Sequence, residues 1–267
     1  MHRTIAILLI FSTAAMAQGV SARMGARAAA LGQAGFVLSD GSSLFQNASA
    51  QAFLEKPTFF FAYDRAPGLT GADRTAAAIV VPSGWGVFSM GAFRFGDDLY
   101  SEQLLAASFS HRLDNTGLGV KGNLLQYRAD GFGTRTAFTV DVSGLTRITP
   151  EWSVGAGIFN LNQAGITDHE VLPVTLVAAV GWQPTNGPLL TLEAEKQTGA
   201  PLRVKGGVEM SIRDKVYLRT GFGLQPTTLA AGLGARSHRL QADFSTTYHP
   251  VFSFIYQASA VWSLGKK

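Results

Sequence analysis

The sequence has no cysteine, few charges and no long apolar run, and each absence removes a class of protein. Without cysteine among 267 residues there is no disulfide framework and no thiolate metal site. Asp, Glu, Lys and Arg make up only 15% of the chain. The 22 basic residues outnumber the 18 acidic ones but form no run, so no nucleic-acid surface is expected. His2, His111, His169, His238 and His249 stand apart, without zinc-ligand spacing. No G-x-S-x-G elbow is present. Gly117-Leu118-Gly119-Val120-Lys121-Gly122 matches G-x-G-x-x-G, but it lies inside a strand pattern and opens no helix, which a dinucleotide site needs. No catalytic set, cofactor or metal is expected. After Ala17 no stretch of about 18 apolar residues occurs, which excludes a transmembrane helix there. Disorder is excluded too, because 46% of residues are hydrophobic and 10% aromatic.

What is present begins with a targeting pattern. His2 and Arg3 give a positive start, Ile5–Phe11 is a short apolar stretch, and Ala15-Met16-Ala17 is a small-x-small cleavage site. Residues 1–17 therefore read as a secretory signal peptide. Residues 18–56 form an Ala/Gly-rich segment, with a short helix expected over Ala22–Leu31. From Pro57 to Leu264 the texture changes to period-two alternation punctuated by turn residues.

That alternation is clearest near the end of the chain. Phe252, Phe254, Tyr256, Ala258, Ala260, Trp262 and Leu264 share one face; Ser253, Gln257, Ser259 and Ser263 share the other. Phe244 sits on the apolar face of its own segment, opposite Gln241, Asp243 and Ser245. In 201–212, Leu202, Val204, Val208 and Met210 alternate with Arg203, Lys205, Glu209 and Ser211. Segments of about ten residues, apolar on one face and polar on the other, are the signature of a transmembrane β-barrel. Strands read near 57–64, 74–82, 84–95, 101–112, 117–127, 134–147, 151–161, 172–183, 188–197, 201–212, 215–224, 227–236, 239–248 and 251–264. The expected fold is all-β: a transmembrane antiparallel up-and-down barrel of about 14 strands. Tight turns such as Pro82-Ser83-Gly84 and Asp114-Asn115-Thr116 alternate with longer links, notably Arg65–Asp73, Arg128–Gly133 and Asn162–Val171. An outer-membrane barrel alternates periplasmic turns and external loops in this way.

Hairpin arithmetic places charges opposite one another. A turn at Thr198–Gly199 sets Glu193 against Lys205 and Glu195 against Arg203; the next hairpin sets Glu209 against Arg219. With Asp243, these residues form a candidate lumen charge network. Its simplest role is mutual neutralisation where water is scarce. A barrel of this size has a lumen wider than its own side chains fill, and residues 18–56 are placed to plug it. Arg23 and Arg27 would then meet lumen acids such as Glu193, Glu195 or Asp243.

The segment before the first strand carries the most specific pattern. Ser21-Ala22-Arg23-Met24-Gly25-Ala26-Arg27-Ala28-Ala29-Ala30-Leu31-Gly32-Gln33-Ala34-Gly35 is followed by Ser39-Asp40-Gly41 and Asn47-Ala48. This resembles the opening of the PorV/PorQ family of outer-membrane barrels associated with type IX secretion, itself distantly similar to FadL-type fatty-acid transporters. Ser21, Arg23, Gly25, Arg27, Gly32, Asp40 and Asn47 carry the likeness; Gln33 replaces a glycine, and the proline expected after Asn47 is absent. The resemblance implies a non-enzymatic component or partner of type IX protein secretion, touching secretion components or secreted proteins. The alternative is a FadL-like passive transporter of small hydrophobic compounds, with the N-terminal segment as hatch. Such a transporter would be expected to capture ligand with long apolar loops, and Arg65–Asp73 holds only Leu69 as a large apolar residue. Either role implies the outer membrane of a Gram-negative-type bacterium, many passes through its lipid, and periplasmic termini.

Overall fold

The computed structural model describes residues 22–167, 170–213 and 215–265. The expected signal peptide and Ser21 lie outside the described residues. Among these residues sixteen strands follow three short helical pieces. They are β1 (Thr58–Arg65), β2 (Arg74–Ser83), β3 (Gly86–Gly96), β4 (Tyr100–Leu113), β5 (Thr116–Ala129), β6 (Gly133–Arg147), β7 (Trp152–Phe159), β8 (Gly165–Thr167), β9 (Glu170–Val171), β10 (Thr175–Trp182), β11 (Leu189–Gln197), β12 (Arg203–Ile212), β13 (Val216–Leu224), β14 (Thr228–Arg236), β15 (Leu240–His249) and β16 (Ser253–Ser263).

Fourteen of these strands form one closed antiparallel barrel. Each pairs with its neighbour in sequence, and β1 closes the ring on β16, from Thr58 opposite Ser263 to Arg65 opposite Tyr256. The remaining two, β8 and β9, make a small hairpin inside the link between β7 and β10. Closure leaves no unpaired sheet edge, which is what allows strands to cross lipid.

Alternation sorts the side chains as the strand period requires. In β1, Phe59, Phe61 and Tyr63 are exposed, whereas Phe60, Ala62 and Asp64 are buried. On β15 and β16, Phe244, Phe254, Tyr256 and Trp262 face out, as does Phe252 beside β16, and Asp243 and Gln257 face in. The outer face is thus apolar. Trp85, Trp152, Trp182 and Trp262 all lie at the end where β1 begins and β16 finishes, the turn end. Tyr63, Tyr100, Phe132 and Tyr248 lie toward the other, loop end. Aromatic residues at both rims of an apolar band mark the two interfaces of a membrane-spanning barrel.

Two expectations need correction. The links at the loop end are mostly short, because β5 and β6 run on to Ala129 and Gly133 and leave only 130–132 between them. Links 97–99, 225–227 and 250–252 are no longer; only 66–73 and 160–174 exceed five residues. Cross-strand hydrogen bonds outcompete the turn residues there, so the strands extend. The N-terminal helix is also shorter than expected. It spans only Ala26–Ala30, called α1. Gly25 precedes it at φ 134°, and Gly32 follows at φ 68°. Neither conformation continues a helix, and glycine adopts both without a Cβ clash. After it come α2 (Ser43–Gln46) and a 3-10 helix, Ala48–Phe53.

Candidate functional site: an occupied lumen

Residues 24–53 are almost entirely buried, and they lie inside the barrel. Helix α1 packs on β13 to β16, and the 3-10 helix packs on β3 to β6. The chain descends as it goes. Ala22, like Phe95 and Leu125 of the wall near the loop end, packs against the cluster around Met24, Leu31 sits against mid-wall Gly207, and Phe53 reaches arginines at the turn end. Pro57 then leads into β1.

The segment is fixed on one side by ions. Arg23 pairs with Glu193 at 2.5 Å and Glu195 at 2.9 Å. Arg27 pairs with Glu209 at 2.7 Å and Asp40 at 3.2 Å. The wall register sets Glu193 opposite Lys205 and Glu195 opposite Arg203. It also sets Glu209 opposite Arg219. Lys205 donates to Glu193 at 3.2 Å and to Glu195 at 2.7 Å. Arg203 lies 3.7 Å from Glu195, and Arg219 bridges Glu209 at 2.6 Å and Asp243 at 2.7 Å. Glu193, Glu195, Glu209 and Asp243 therefore each meet at least one cation. Arg23 meets two of the acids named for it, whereas Arg27 contacts Glu209 rather than Asp243. Low local dielectric strengthens every one of these pairs, and makes an orphaned member expensive.

Backbone groups complete the attachment. The N–H groups of Gly25 and Ala26 donate to Gln257 Oε1 and Ser259 Oγ, both at 3.1 Å. Phe36 N–H donates to Glu193 at 3.1 Å, and Ser49 N–H to Ser143 Oγ at 3.1 Å. Asp40 accepts from Ser42 N–H at 2.9 Å and so tightens the turn into α2. Asn47 caps the 3-10 helix by accepting from Ser49 N–H at 3.0 Å, while its amide donates to Phe36 O at 2.8 Å. Arg23, Gly25, Arg27, Gly32, Asp40 and Asn47 thus all hold or shape the segment.

Sequence reading missed the surface that receives it. Several inward-facing wall positions are glycine, and the segment occupies the space a side chain would take. A Cβ on Gly221 would lie 2.2 Å from Gly32 N, and one on Gly207 would lie 2.6 Å from Leu31 Cα. Gly117 and Gly119, the residues of the discarded nucleotide pattern, lie under Ser49 in the same way. Gly155 and Gly157 take the Phe36 ring. The available signal was glycine at inward positions of strands, where it weakens a sheet and so implies a close approach.

The opposite side of the lumen is apolar. Met24, Leu44 and Phe45 of the segment pack with Phe60, Ala62, Ala76, Phe93, Leu104 and Ala106 of the wall. Phe95 and Leu125 extend this strip toward the loop end. At the turn end a cavity of about 650 Å³ opens between the segment at 37–39 and the wall at β6, β7 and β10.

No protein family matches the sequence, and no curated protein matches it. Solved structures do share the fold. The CymD monoaromatic hydrocarbon channel superposes with a TM-score of 0.73 at 10% identity, over 92% of this chain and 99% of that one. The toluene transporter TodX of P. putida gives 0.69 at 10% identity, over 93% and 100%. A Pseudomonas aeruginosa FadL homologue gives 0.59 at 12% identity, over 88% and 98%. Nothing in these comparisons supports the PorV/PorQ resemblance or a link to type IX secretion.

Proposed function

We propose that this protein is a passive, non-enzymatic outer-membrane channel for small hydrophobic compounds, with residues 22–56 as its hatch and the turn end in the periplasm. The observation that carries the reading is the apolar strip inside the barrel: Phe60, Phe93, Phe95, Leu104 and Leu125 face inward. The interior of a water-filled porin is polar. Inward aromatic and aliphatic side chains suit a ligand that leaves water for an apolar wall, at about 25 cal/mol per Å² buried. The fold shared with CymD and TodX, a hydrocarbon channel and a toluene transporter, supports the same reading.

With most external links short, capture falls to the strip itself, where Ala22 and Met24 cover it. Passage requires those residues to move, and hence Arg23 to leave Glu193 and Glu195. Type IX secretion, the other expectation, finds no supporting observation and is set aside as the main reading.

Uptake of radiolabelled toluene by Gram-negative host cells tests the proposal. Cells expressing the protein should take it up faster than vector controls, and saturably, with Phe93→Glu abolishing the gain. Uptake equal to controls would overturn the channel reading.

A further inference from the structure

The arginines of the lumen differ in how their charge is met; Arg74 and Arg203 each contact one carboxylate. Arg23, Arg27 and Arg219 each contact two carboxylates. Among the described residues, Arg112 and Arg147, the last inward-facing residues of β4 and β6 at the turn end, contact none. Both instead lie against the ring of Phe53, Arg147 Cζ at 4.1 Å from its centroid and Arg112 Cζ at 5.2 Å. Arg112 Nε donates to Asp114 O at 2.8 Å. Among the described residues the Arg147 guanidinium has no hydrogen-bond partner. The nearby acids Glu55, Asp114 and Glu151 make no ion pair within 4 Å of either guanidinium, counting described residues only.

Two guanidiniums held beside one aromatic ring repel each other; both are exposed to water, which screens part of that repulsion, and an anion between them removes the rest. Both line the turn-end cavity of about 650 Å³. Its other walls are mixed: Val37, Leu38, Leu145 and Leu189 are apolar, Ser39, Asn115 and Gln183 are polar, and Glu151 is a single acid against the two cations. Arg27 also borders it, but its charge is already matched by Glu209 and Asp40. Arginine is the side chain best shaped for carboxylate and phosphate, through its planar fork of donors. We infer that Arg112 and Arg147 form an anion site at the turn-end mouth, taking the phosphate or carboxylate head of a single-chain amphiphile whose tail lies along Val37, Leu38, Leu145 and Leu189. The inward direction of both side chains separates this site from arginines that merely reach for headgroups around the outside. The site does not rest on the channel reading, since toluene carries no charge for it to bind.

Equilibrium dialysis of the purified barrel in amphipol, with radiolabelled dodecyl phosphate, dodecanol and inorganic phosphate, tests the site. Dodecyl phosphate should bind, Arg112→Gln/Arg147→Gln should weaken it at least tenfold, and Arg112→Lys/Arg147→Lys should weaken it less. Dodecanol should bind equally weakly to all three proteins. Inorganic phosphate binding as tightly as dodecyl phosphate would overturn the amphiphile in favour of a free ion. Equal affinity of wild type and the glutamine variant for dodecyl phosphate would overturn the site. If the glutamine variant does not fold, phenylglyoxal modification of the native protein reads the same contact: dodecyl phosphate should protect Arg112 and Arg147, and absence of protection refutes it.

Discussion

The two sides of the lumen hold the same segment by opposite means. Along β11 to β15 the wall offers Glu193, Glu195, Lys205, Glu209, Arg219 and Asp243, and the segment answers with Arg23 and Arg27. Along β1 to β5 the wall offers Phe60, Phe93 and Leu104, and the segment answers with Met24, Leu44 and Phe45. The ionic side is directional: it fixes position, and it fails sharply when one partner is lost. The apolar side is non-directional and tolerates sliding, since burial depends on area rather than angle. A hatch that moves should therefore break contact at the ionic side and slide along the apolar one.

The largest effect should come from the ionic side. Arg219→Met leaves Glu209 and Asp243 facing each other without their shared cation. It should lower stability by about 3–5 kcal/mol, read as denaturant unfolding of the barrel in lipid vesicles. Phe60→Ala on the apolar side should cost about as much at most, near 3 kcal/mol where the segment collapses onto the gap. If Phe60→Ala proves far costlier than Arg219→Met, the apolar side is the rigid one and the comparison is inverted.

Next comes a test of faces. Val204→Arg, on the outer surface of β12, should cost about 2–4 kcal/mol near the membrane midplane and less toward an interface. A neutral result would put Val204 outside the apolar band. Gly221→Ala sharpens the contact between segment and wall, because its Cβ would meet Gly32 N at 2.2 Å. Overpacking of this kind costs about 1–3 kcal/mol, and it should raise conductance by lifting Leu31–Gly32 off the wall. The smallest effect belongs to Arg65→Ala. Its pair with Asp73 spans 3.9 Å with both side chains exposed, so the loss should stay below about 0.5 kcal/mol.

Much of this was legible in the sequence, for identifiable reasons. Barrel strands were readable because period-two alternation is strong where one face meets lipid and the other meets ions, as in Leu202–Met210. The opposition of Glu193 and Lys205 was readable because a hairpin fixes register, and a slip of one would turn every side chain to the wrong face. Link lengths were not, since residues such as Arg128 and Ala129 suit either a loop or the end of a strand. The hairpin of Gly165–Thr167 with Glu170–Val171 is too short for a period to show. The glycine bed at Gly207 and Gly221 was invisible for a different reason: alternation marks which way a residue points, and says nothing of what stands there. Arg112 and Arg147 share the turn-end rim through the consecutive hairpins of β4, β5 and β6, but their meeting at one ring depends on the placement of Phe53, which no local pattern encodes.

The central claim is that residues 22–56 close the barrel from within. Planar-bilayer conductance of the intact protein and of a form lacking residues 18–54, with residues 1–17 retained for export, measures it directly. The intact barrel should pass little current, and the shortened one should open a steady channel while keeping heat-modifiable mobility on gels. Equal conductance from two folded barrels would contradict it, and the hatch would fall with that result.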